Sequence, residues 1–163
     1  MARHEETALV TGAGKGLGRS AAIELARSGW RVALNGRTHS QLEETAGEIE
    51  ALGSQCLIVE GDVSDPQQVA AAVERISESL GPIGVLVNNA AVIGPARFLE
   101  DADPASWSET LAINLHGAFA CCREVLPLMR ERGRGRIVNV VSGLAWMAFP
   151  RFNAYCTSKA ALL

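Results

Sequence analysis

This sequence of 163 residues has few aromatic residues, no long apolar run and no excess of positive charge. Only 5% of the residues are aromatic, and no apolar run approaches the roughly 18 residues that a membrane-spanning helix needs. Residues 1–6 contain no apolar signal core, so we expect a cytoplasmic protein with no membrane partner. The formal net charge of -3 gives no reason to expect binding to nucleic acid.

The four cysteines lack the spacing of a metal site or a disulfide framework. Cys121 and Cys122 are adjacent, and neither they nor Cys56 and Cys156 form a CxxC pair. We therefore expect buried, reduced thiols and no bound metal. Hydrophobic residues make up 48% of the chain and charged residues 20%, an ordinary balance for a globular protein. A chain of this length predicts a single domain over residues 1–163.

Strand and helix signals alternate along the whole chain, with no repeat and no linker. Short apolar runs predict five strands, at residues 7–10, 31–35, 56–59, 83–87 and 136–141. Helical periodicity separates these runs, and its longest stretch predicts one helix from about residue 104 to 132, bent at Pro127. The alternation predicts an α/β fold with a doubly wound parallel sheet.

Several helix ends and inner faces are also predicted. Asp65 followed by Pro66 predicts a helix start, Thr38 with Gln41 predicts a capping box, and Gly29 is placed to end the first helix. The apolar face of that helix is predicted to hold Leu17, Ala21, Ala22, Leu25 and Ala26. The inner face of the long helix is predicted to hold Leu111, Leu115, Ala118, Cys122 and Met129.

Four glycines lie in residues 11–18, between the first predicted strand and the first predicted helix. This arrangement places a pyrophosphate against the free N–H groups of a helix N-terminus. A plain glycine-rich loop is the alternative for this stretch taken alone. Polar residues at the other strand ends favour a binding site, because ligands of parallel sheets lie beyond the carboxyl ends. These strand ends comprise residues 35–37, Asp62, residues 88–91 and Ser142.

Tyr155, the single tyrosine, is followed by Lys159 at i+4, so both side chains lie on one helical face. A tyrosine with a pKa near ~10 exchanges protons poorly at neutral pH unless a neighbouring cation favours its ionised form. Lys159 could supply that charge, and Ser142 could hydrogen-bond a substrate oxygen held against Tyr155. The alternative is a surface lysine beside a half-buried tyrosine.

The motifs Thr11-Gly12-x-x-x-Gly16-x-Gly18, Asn88-Asn89-Ala90, Ser142 and Tyr155-x-x-x-Lys159 together resemble the classical short-chain dehydrogenase/reductase family. The resemblance implies a Rossmann-type oxidoreductase that moves a hydride between NAD(P)(H) and a carbonyl or secondary alcohol. Tyr155 matches the catalytic acid/base, Lys159 the residue that assists it and binds the nicotinamide ribose, and Ser142 the substrate-orienting hydroxyl. Asn114 matches the asparagine that holds a water for proton relay, and a solvated polar group is its alternative.

The resemblance also implies contacts with the dinucleotide. Asp62 matches the acid that contacts the adenine ring, although its position alone indicates a loop or capping residue. Ala91 departs from the family pattern, which usually has glycine there, so we expect its Cβ to change only the fine geometry, by crowding the cofactor or by altering the turn. The implied cofactor-binding residues are Gly12, Gly14, Lys15, Gly16, Leu17, Gly18, Arg37, Asp62, Val63, Asn89, Ala90, Tyr155 and Lys159.

The end of the second predicted strand indicates which cofactor is preferred. An acid there would accept hydrogen bonds from a ribose 2′-OH and repel a 2′-phosphate. Residues 35–37 contain no acid but include Arg37, and Lys15 adds a second positive charge in the glycine turn. We therefore predict NADP(H) over NAD(H). The alternative is that both cations are solvated surface charges.

Members of the resembled family usually continue well past the position of Leu163. We therefore expect a C-terminally truncated chain in which five strands are present, later strands are missing and the fifth strand is a sheet edge. The main hypothesis is an NADP(H)-dependent carbonyl reductase or alcohol dehydrogenase acting on a small molecule. The alternatives are a non-catalytic dinucleotide-binding fragment and an NAD-dependent alcohol dehydrogenase. For a full-length relative the resemblance implies a homo-oligomer, formed through the long helix and the Tyr155 helix.

Overall fold

In the computed structural model, which describes residues 5–163, five strands alternate with six α-helices. Residues 1–4, on which part of the cytoplasmic prediction depends, lie outside this range. The strands are β1 (Thr7–Thr11), β2 (Arg31–Gly36), β3 (Cys56–Glu60), β4 (Ile83–Asn88) and β5 (Arg136–Asn139). The helices are α1 (Gly16–Arg27), α2 (His39–Ala51), α3 (Pro66–Leu80), α4 (Pro104–Leu111), α5 (Gly117–Glu131) and α6 (Asn153–Ala160).

The strands form one sheet in the order β3-β2-β1-β4-β5, and every neighbouring pair is parallel. β1 and β4 are buried along their whole length, as expected for strands that are covered on both faces. The order reverses between β1 and β4, so the chain winds outward from the centre in both directions. The predicted doubly wound parallel sheet is therefore confirmed.

Alternate residues of the central strands face two separate hydrophobic cores. In β1, Ala8 and Val10 pack on one face of the sheet with the buried sides of α1 and α2. Leu9 packs on the other face with α3 and α5. This alternation follows from the two-residue period of a strand, and it fixes the side of the sheet on which each helix lies.

The signals at several helix ends are confirmed by the structure. The side chain of Asp65 accepts hydrogen bonds from the backbone N–H groups of Gln67 and Gln68, and Pro66 is the first residue of α3. Gly29, just past the end of α1, has a φ of 91°. A positive φ carries no Cβ penalty in glycine, which is why glycine suits this position.

Two predictions about α1 and α2 were wrong. Leu17 is 62% exposed, whereas Ile23 is buried in the core. Leu17 lies in the first turn of α1, whereas the buried residues of this helix are Gly18, Ala22, Ile23 and Ala26. Thr38 is the N-cap of α2, but its side chain makes no capping hydrogen bond. The capping box with Gln41 is therefore absent.

The predicted long helix contains a π-helical turn, Ala112–His116, between α4 and α5. A π turn holds an extra residue, and this shifts the face that later residues present to the core. Ala118 and Met129 are buried as predicted, and Cys122 is partly buried against the same core, whereas the more deeply buried Cys121 was not predicted. Leu111 and Leu115 are only partly buried. The bend at Pro127, which lies inside α5, stays a prediction.

Among the described strands, β5 pairs with β4 alone and lies at one edge of the sheet, as predicted. It ends at Asn139 rather than at residue 141, because its register partner Asn88 is the last residue of β4. Val138 is 48% exposed at this edge. Between residues 5 and 163, no helix is long and apolar enough to cross a membrane.

Candidate functional site

The glycine turn after β1 is tied to the loop after β4 by a short hydrogen-bond network. Thr11 Oγ1 accepts hydrogen bonds from the backbone N–H groups of Asn89 and Ala90, each at 3.0 Å. Asn89 Nδ2 donates to the carbonyl oxygens of Thr11 and Gly12 at 2.9 and 3.2 Å. The ends of two neighbouring strands are thereby held in a fixed relation.

Gly12 and Gly18 are required by this close packing. Gly12 has a φ of 64°, and a Cβ there would lie 2.9 Å from both Ala90 Cα and Asn89 Nδ2. A Cβ on Gly18 would overlap the Gly12 carbonyl oxygen. A side chain at either position would push the turn away from β4 and change the shape of the surface above it.

An open cleft of ≈ 310 Å³ lies above the carboxyl ends of β1, β2, β3 and β4. It brings together eight of the predicted cofactor-binding residues, from four separate parts of the chain. These are Gly12, Gly14, Lys15, Arg37, Asp62, Val63, Asn89 and Ala90. Gly16, Leu17 and Gly18 do not line it and instead form the first turn of α1. Ala91, the departure from the family pattern, also lines the cleft.

The carboxylate of Asp62 has different partners on its two oxygens. Oδ1 accepts hydrogen bonds from the backbone N–H and the hydroxyl of Ser64, at 2.9 and 2.7 Å. Oδ2 lies 3.4 Å from Arg37 Nη1. Burial acts to raise the pKa of Asp62, but the hydrogen bonds from Ser64 and the charge of Arg37 outweigh it and lower the pKa. Asp62 is thus a well-fixed anion on the wall of the cleft.

Lys15 and Arg37 are the two cations on the cleft wall. Lys15 is exposed at the N-cap of α1, whose first turn contains no acidic residue. Among the described residues it forms no ion pair, whereas Arg37 pairs with Asp62. A helix N-terminus with an unpaired cation beside it attracts anions.

Asn114, in the π-helical turn, is 1% exposed and makes three hydrogen bonds. Its Oδ1 accepts from Val92 N and its Nδ2 donates to Val92 O, both at 2.8 Å. Nδ2 also donates to Ser158 Oγ at 3.0 Å. Asn114 is therefore a buried clamp between the loop after β4 and helix α6. The solvated polar group considered as its alternative does not fit this burial.

Ser158 is a residue that the sequence reasoning missed. It is fully buried, accepts from Asn114 Nδ2 and donates to the carbonyl oxygen of Tyr155 at 2.8 Å. Its position between Tyr155 and Lys159 is the only signal in the sequence. That signal is weak, because a helical serine commonly bonds a carbonyl three or four residues earlier.

Lys159 is 2% exposed, so it is not the surface lysine considered as an alternative. Its Nζ donates to the Val140 carbonyl oxygen at 2.6 Å and lies 5.8 Å from the centroid of the Tyr155 ring. Burial lowers the pKa of Lys159 from its ordinary value of 10.5. The side chain thus holds α6 against the end of β5 and keeps its charge next to Tyr155.

Ser142 follows β5, and its Oγ accepts from Leu144 N at 3.2 Å. Within residues 5–163 no direct hydrogen bond joins Ser142 to Tyr155. Neither residue lines the cleft, and Lys159 and Asn114 do not line it either. The cleft and this polar group are connected through Val92, which lines the cleft and is clamped by Asn114. The predicted site thus has two adjoining parts with one shared wall.

The loops next to α6 are apolar and exposed. Trp146 is 78% exposed, Met147 58% and Phe149 50%. The Arg151 guanidinium lies 5.4 Å from the centroid of the Phe98 ring. This contact joins the loop before α6 to the loop after β4. Tyr155 itself is half-buried.

Comparison with known proteins identifies the family. The sequence profile described as short chain dehydrogenase matches residues 6–163. The chain belongs to the classical short-chain dehydrogenase/reductase family. The glycine turn and the sheet order described above are consistent with this membership.

Among curated members of the family, a 3beta-hydroxysteroid dehydrogenase of Mediterraneibacter gnavus is 36% identical over 158 residues. The match covers 97% of this chain and 57% of that protein. Short-chain dehydrogenase/reductase 3 of Homo sapiens is 40% identical over 156 residues, covering 95% of this chain and 51% of that protein. The chain thus spans a little over half the length of these relatives.

Solved structures of family members show the same architecture. NAD+-bound xylitol dehydrogenase superposes with a TM-score of 0.95 at 30% identity, covering 99% of this chain and 62% of that chain. A 3-ketoacyl-ACP reductase from Sinorhizobium meliloti has a TM-score of 0.92 at 39% identity, covering 95% and 62%. The family therefore includes a structure with NAD+ bound, and membership by itself does not select between the two cofactors.

We predict that Ser158→Ala destabilises the protein by about 1–3 kcal/mol, because it leaves a buried N–H of Asn114 without a partner. Ser77→Ala is a matched control, since Ser77 bonds only the Val73 carbonyl within α3. Urea unfolding of both variants measures the difference. Equal losses of stability would contradict the proposed link between Asn114 and α6.

We predict that Lys159 makes stability depend on pH in the alkaline range. Because its folded-state pKa is lowered, the unfolded chain binds more protons between that pKa and 10.5. We compare the free energy of unfolding of the unchanged protein with that of Lys159→Met. The difference, unchanged protein minus variant, should rise as the pH increases toward 10.5. Urea unfolding at a series of pH values measures this difference. A constant difference, or one that falls, would contradict the burial of the ammonium group.

Proposed function

We propose that this chain is a single NADP(H)-binding domain that acts as an oxidoreductase on a carbonyl or secondary alcohol. The observation that carries the proposal is the buried group formed by Asn114, Ser158 and Lys159 around Tyr155. Buried polar clusters at the carboxyl ends of parallel strands are typical of functional sites. Val92 connects this group to the cleft wall.

The residues of the cleft fit a dinucleotide. The backbone packing at Gly12 and Gly18 leaves the turn free of side chains, and the N-terminus of α1 faces the same region as Lys15. These features favour a pyrophosphate at the turn. Asp62 and Val63 provide a polar and an apolar group for an adenine ring. When bound, the nicotinamide would supply or accept the hydride.

The chain's own residues would handle the proton and the orientation of the substrate. We assign to Tyr155 Oη the proton that passes to or from the substrate oxygen. The charge of Lys159 stabilises the phenolate form of Tyr155, and the Ser142 hydroxyl hydrogen-bonds the same substrate oxygen. Asn114 fixes α6 relative to the cleft, so that these groups keep their positions. The three side-chain hydrogen bonds of Asn114 support this positioning role.

The preference for NADP(H) is supported by the charges at the end of β2. Gly36 and Arg37 lie at the strand end where an acid would bind a ribose 2′-OH, and Lys15 lines the same cleft. Both cations favour a 2′-phosphate. An NAD-dependent enzyme is the second candidate, because Asp62 neutralises part of the Arg37 charge and a related xylitol dehydrogenase binds NAD+.

Two further features belong to this proposal. The exposed loops with Trp146 and Phe149 support an apolar small-molecule substrate. Phe119 and Leu126 of α5 are 65% and 51% exposed, which supports a homo-oligomer formed through this helix. A dinucleotide-binding protein without turnover is the remaining alternative, because the chain spans only part of the length of its relatives.

We predict that NADPH binds more tightly than NADH and that Arg37→Ala removes most of this preference. Loss of one charged hydrogen bond to a phosphate should weaken NADPH binding by at least about tenfold, whereas NADH binding should not be weakened, because NADH carries no 2′-phosphate. Thermal-shift titration with both cofactors measures this. Arg27→Ala is the control, because Arg27 pairs with Glu24 on the surface of α1. Equal or stronger stabilisation by NADH would reject the NADP(H) assignment.

We predict that Tyr155→Phe lowers kcat by roughly 10²–10⁴-fold, the range expected for loss of a general acid/base. Turnover of small ketones and oxoacyl thioesters with NADPH measures the effect. NADPH affinity should change little, because the variant keeps the aromatic ring and Tyr155 does not line the cleft. Activity retained by this variant would refute the mechanism. Cofactor binding without turnover in the unchanged protein would favour the non-catalytic alternative.

A further inference from the structure

The contact between Arg37 and Asp62 lies on the wall of the proposed cofactor cleft and involves only one carboxylate oxygen. Oδ2 of Asp62 faces Arg37 Nη1 at 3.4 Å, whereas Oδ1 is occupied by the N–H and hydroxyl of Ser64. The backbone N–H of Asp62 also donates to Gln68 Oε1 at 2.9 Å. Asp62 is therefore fixed by α3 and its preceding turn, independently of Arg37.

Arg37 is held much less firmly than Asp62. Its side chain is 56% exposed, that of Asp62 is 29% exposed, and their contact is longer than most charge-assisted hydrogen bonds. An exposed ion pair of this kind contributes little to stability. Arg37 forms no other ion pair among the described residues. The guanidinium is thus free to exchange a carboxylate partner for a stronger anion.

A phosphate dianion is such an anion, because it offers more charge and a bidentate geometry to the guanidinium. When Arg37 turns to a phosphate, Oδ2 of Asp62 loses its partner on the cleft wall. A carboxylate oxygen without a partner accepts hydrogen bonds from N–H donors. The exocyclic amino group of adenine is a donor of this kind, and it belongs to the same ligand as the 2′-phosphate.

We propose that Arg37 is an exchangeable partner that couples two recognition events within one cofactor. Without a 2′-phosphate it occupies Asp62, and with a 2′-phosphate it leaves Asp62 Oδ2 to the adenine amino group. Asp62 then distinguishes adenine from a base without the amino group strongly in NADP(H) and weakly in NAD(H). This inference rests on the proposed function, and it goes beyond a simple preference for the phosphate because it predicts that the two contacts are not additive.

The test compares four ligands by isothermal titration calorimetry of the whole chain. They are NADP+, NAD+ and their two hypoxanthine counterparts, in which a carbonyl replaces the adenine amino group. We expect the replacement to weaken NADP+ binding by about tenfold, as for loss of a hydrogen bond to a charged group. We expect it to weaken NAD+ binding by less than about twofold, because Arg37 still occupies Asp62.

Two variants locate the coupling. In Arg37→Ala, Asp62 Oδ2 has no arginine partner, whichever dinucleotide is bound. Replacing adenine by hypoxanthine should therefore weaken the binding of NADP+ and of NAD+ by the same factor. In Asp62→Asn, the loss of NADP+ affinity that follows from replacing adenine by hypoxanthine should be smaller than in the unchanged protein. Arg27→Ala, on the surface of α1, should behave like the unchanged protein.

The outcomes separate this inference from the function on which it rests. Preferred binding of NADP+ with equal hypoxanthine penalties in the unchanged protein would overturn the inference alone. Equal affinity for NADP+ and NAD+ would overturn the cofactor preference and the inference together. A coupling that survives in Arg37→Ala would also overturn the inference, because Arg37 would then not be the exchanged group.

Discussion

The network between Thr11 and Asn89 is the constraint on which the rest of the site depends. It joins the ends of β1 and β4 through one hydroxyl and one amide. The glycine turn follows Thr11, and the loop that leads to Val92 follows Asn89. Since Val92 is in turn clamped by Asn114, a displacement of this junction would move both the cleft and the helix that carries Tyr155.

The two parts of the site differ in how firmly their polar groups are held. Asn114, Ser158 and Lys159 are each at most 2% exposed, and breaking their hydrogen bonds would leave buried groups without partners. Each such loss costs about 1–3 kcal/mol. Arg37 and Asp62 form an exposed pair worth about 0–1 kcal/mol. The site thus combines a firmly held polar group beside Tyr155 with a weakly paired wall in the cleft.

Most of the secondary structure could be predicted from the sequence, because its signals are local. Apolar runs located all five strands, and Asp65 with Pro66 located the start of α3. The errors arose where tertiary contacts decide. The exposure of Leu17 depends on which side of α1 packs against the sheet, and the inner face of α5 depends on a π turn that periodicity does not reveal. Ser158 was missed because its partner Asn114 is 44 residues away in the sequence.

The sequence by itself determined the layered fold, since continuous apolar strands between amphipathic helices bury their side chains in only a few ways. It also determined which chemistry-bearing residues stand at the strand ends. Only the tertiary structure decided which of them meet. The cleft gathers Lys15, Arg37 and Asp62, while Asn114 and Lys159 lie apart from it around Tyr155. The physical reason is that hydrogen bonds and burial depend on distances between elements, which local propensity and periodicity do not encode.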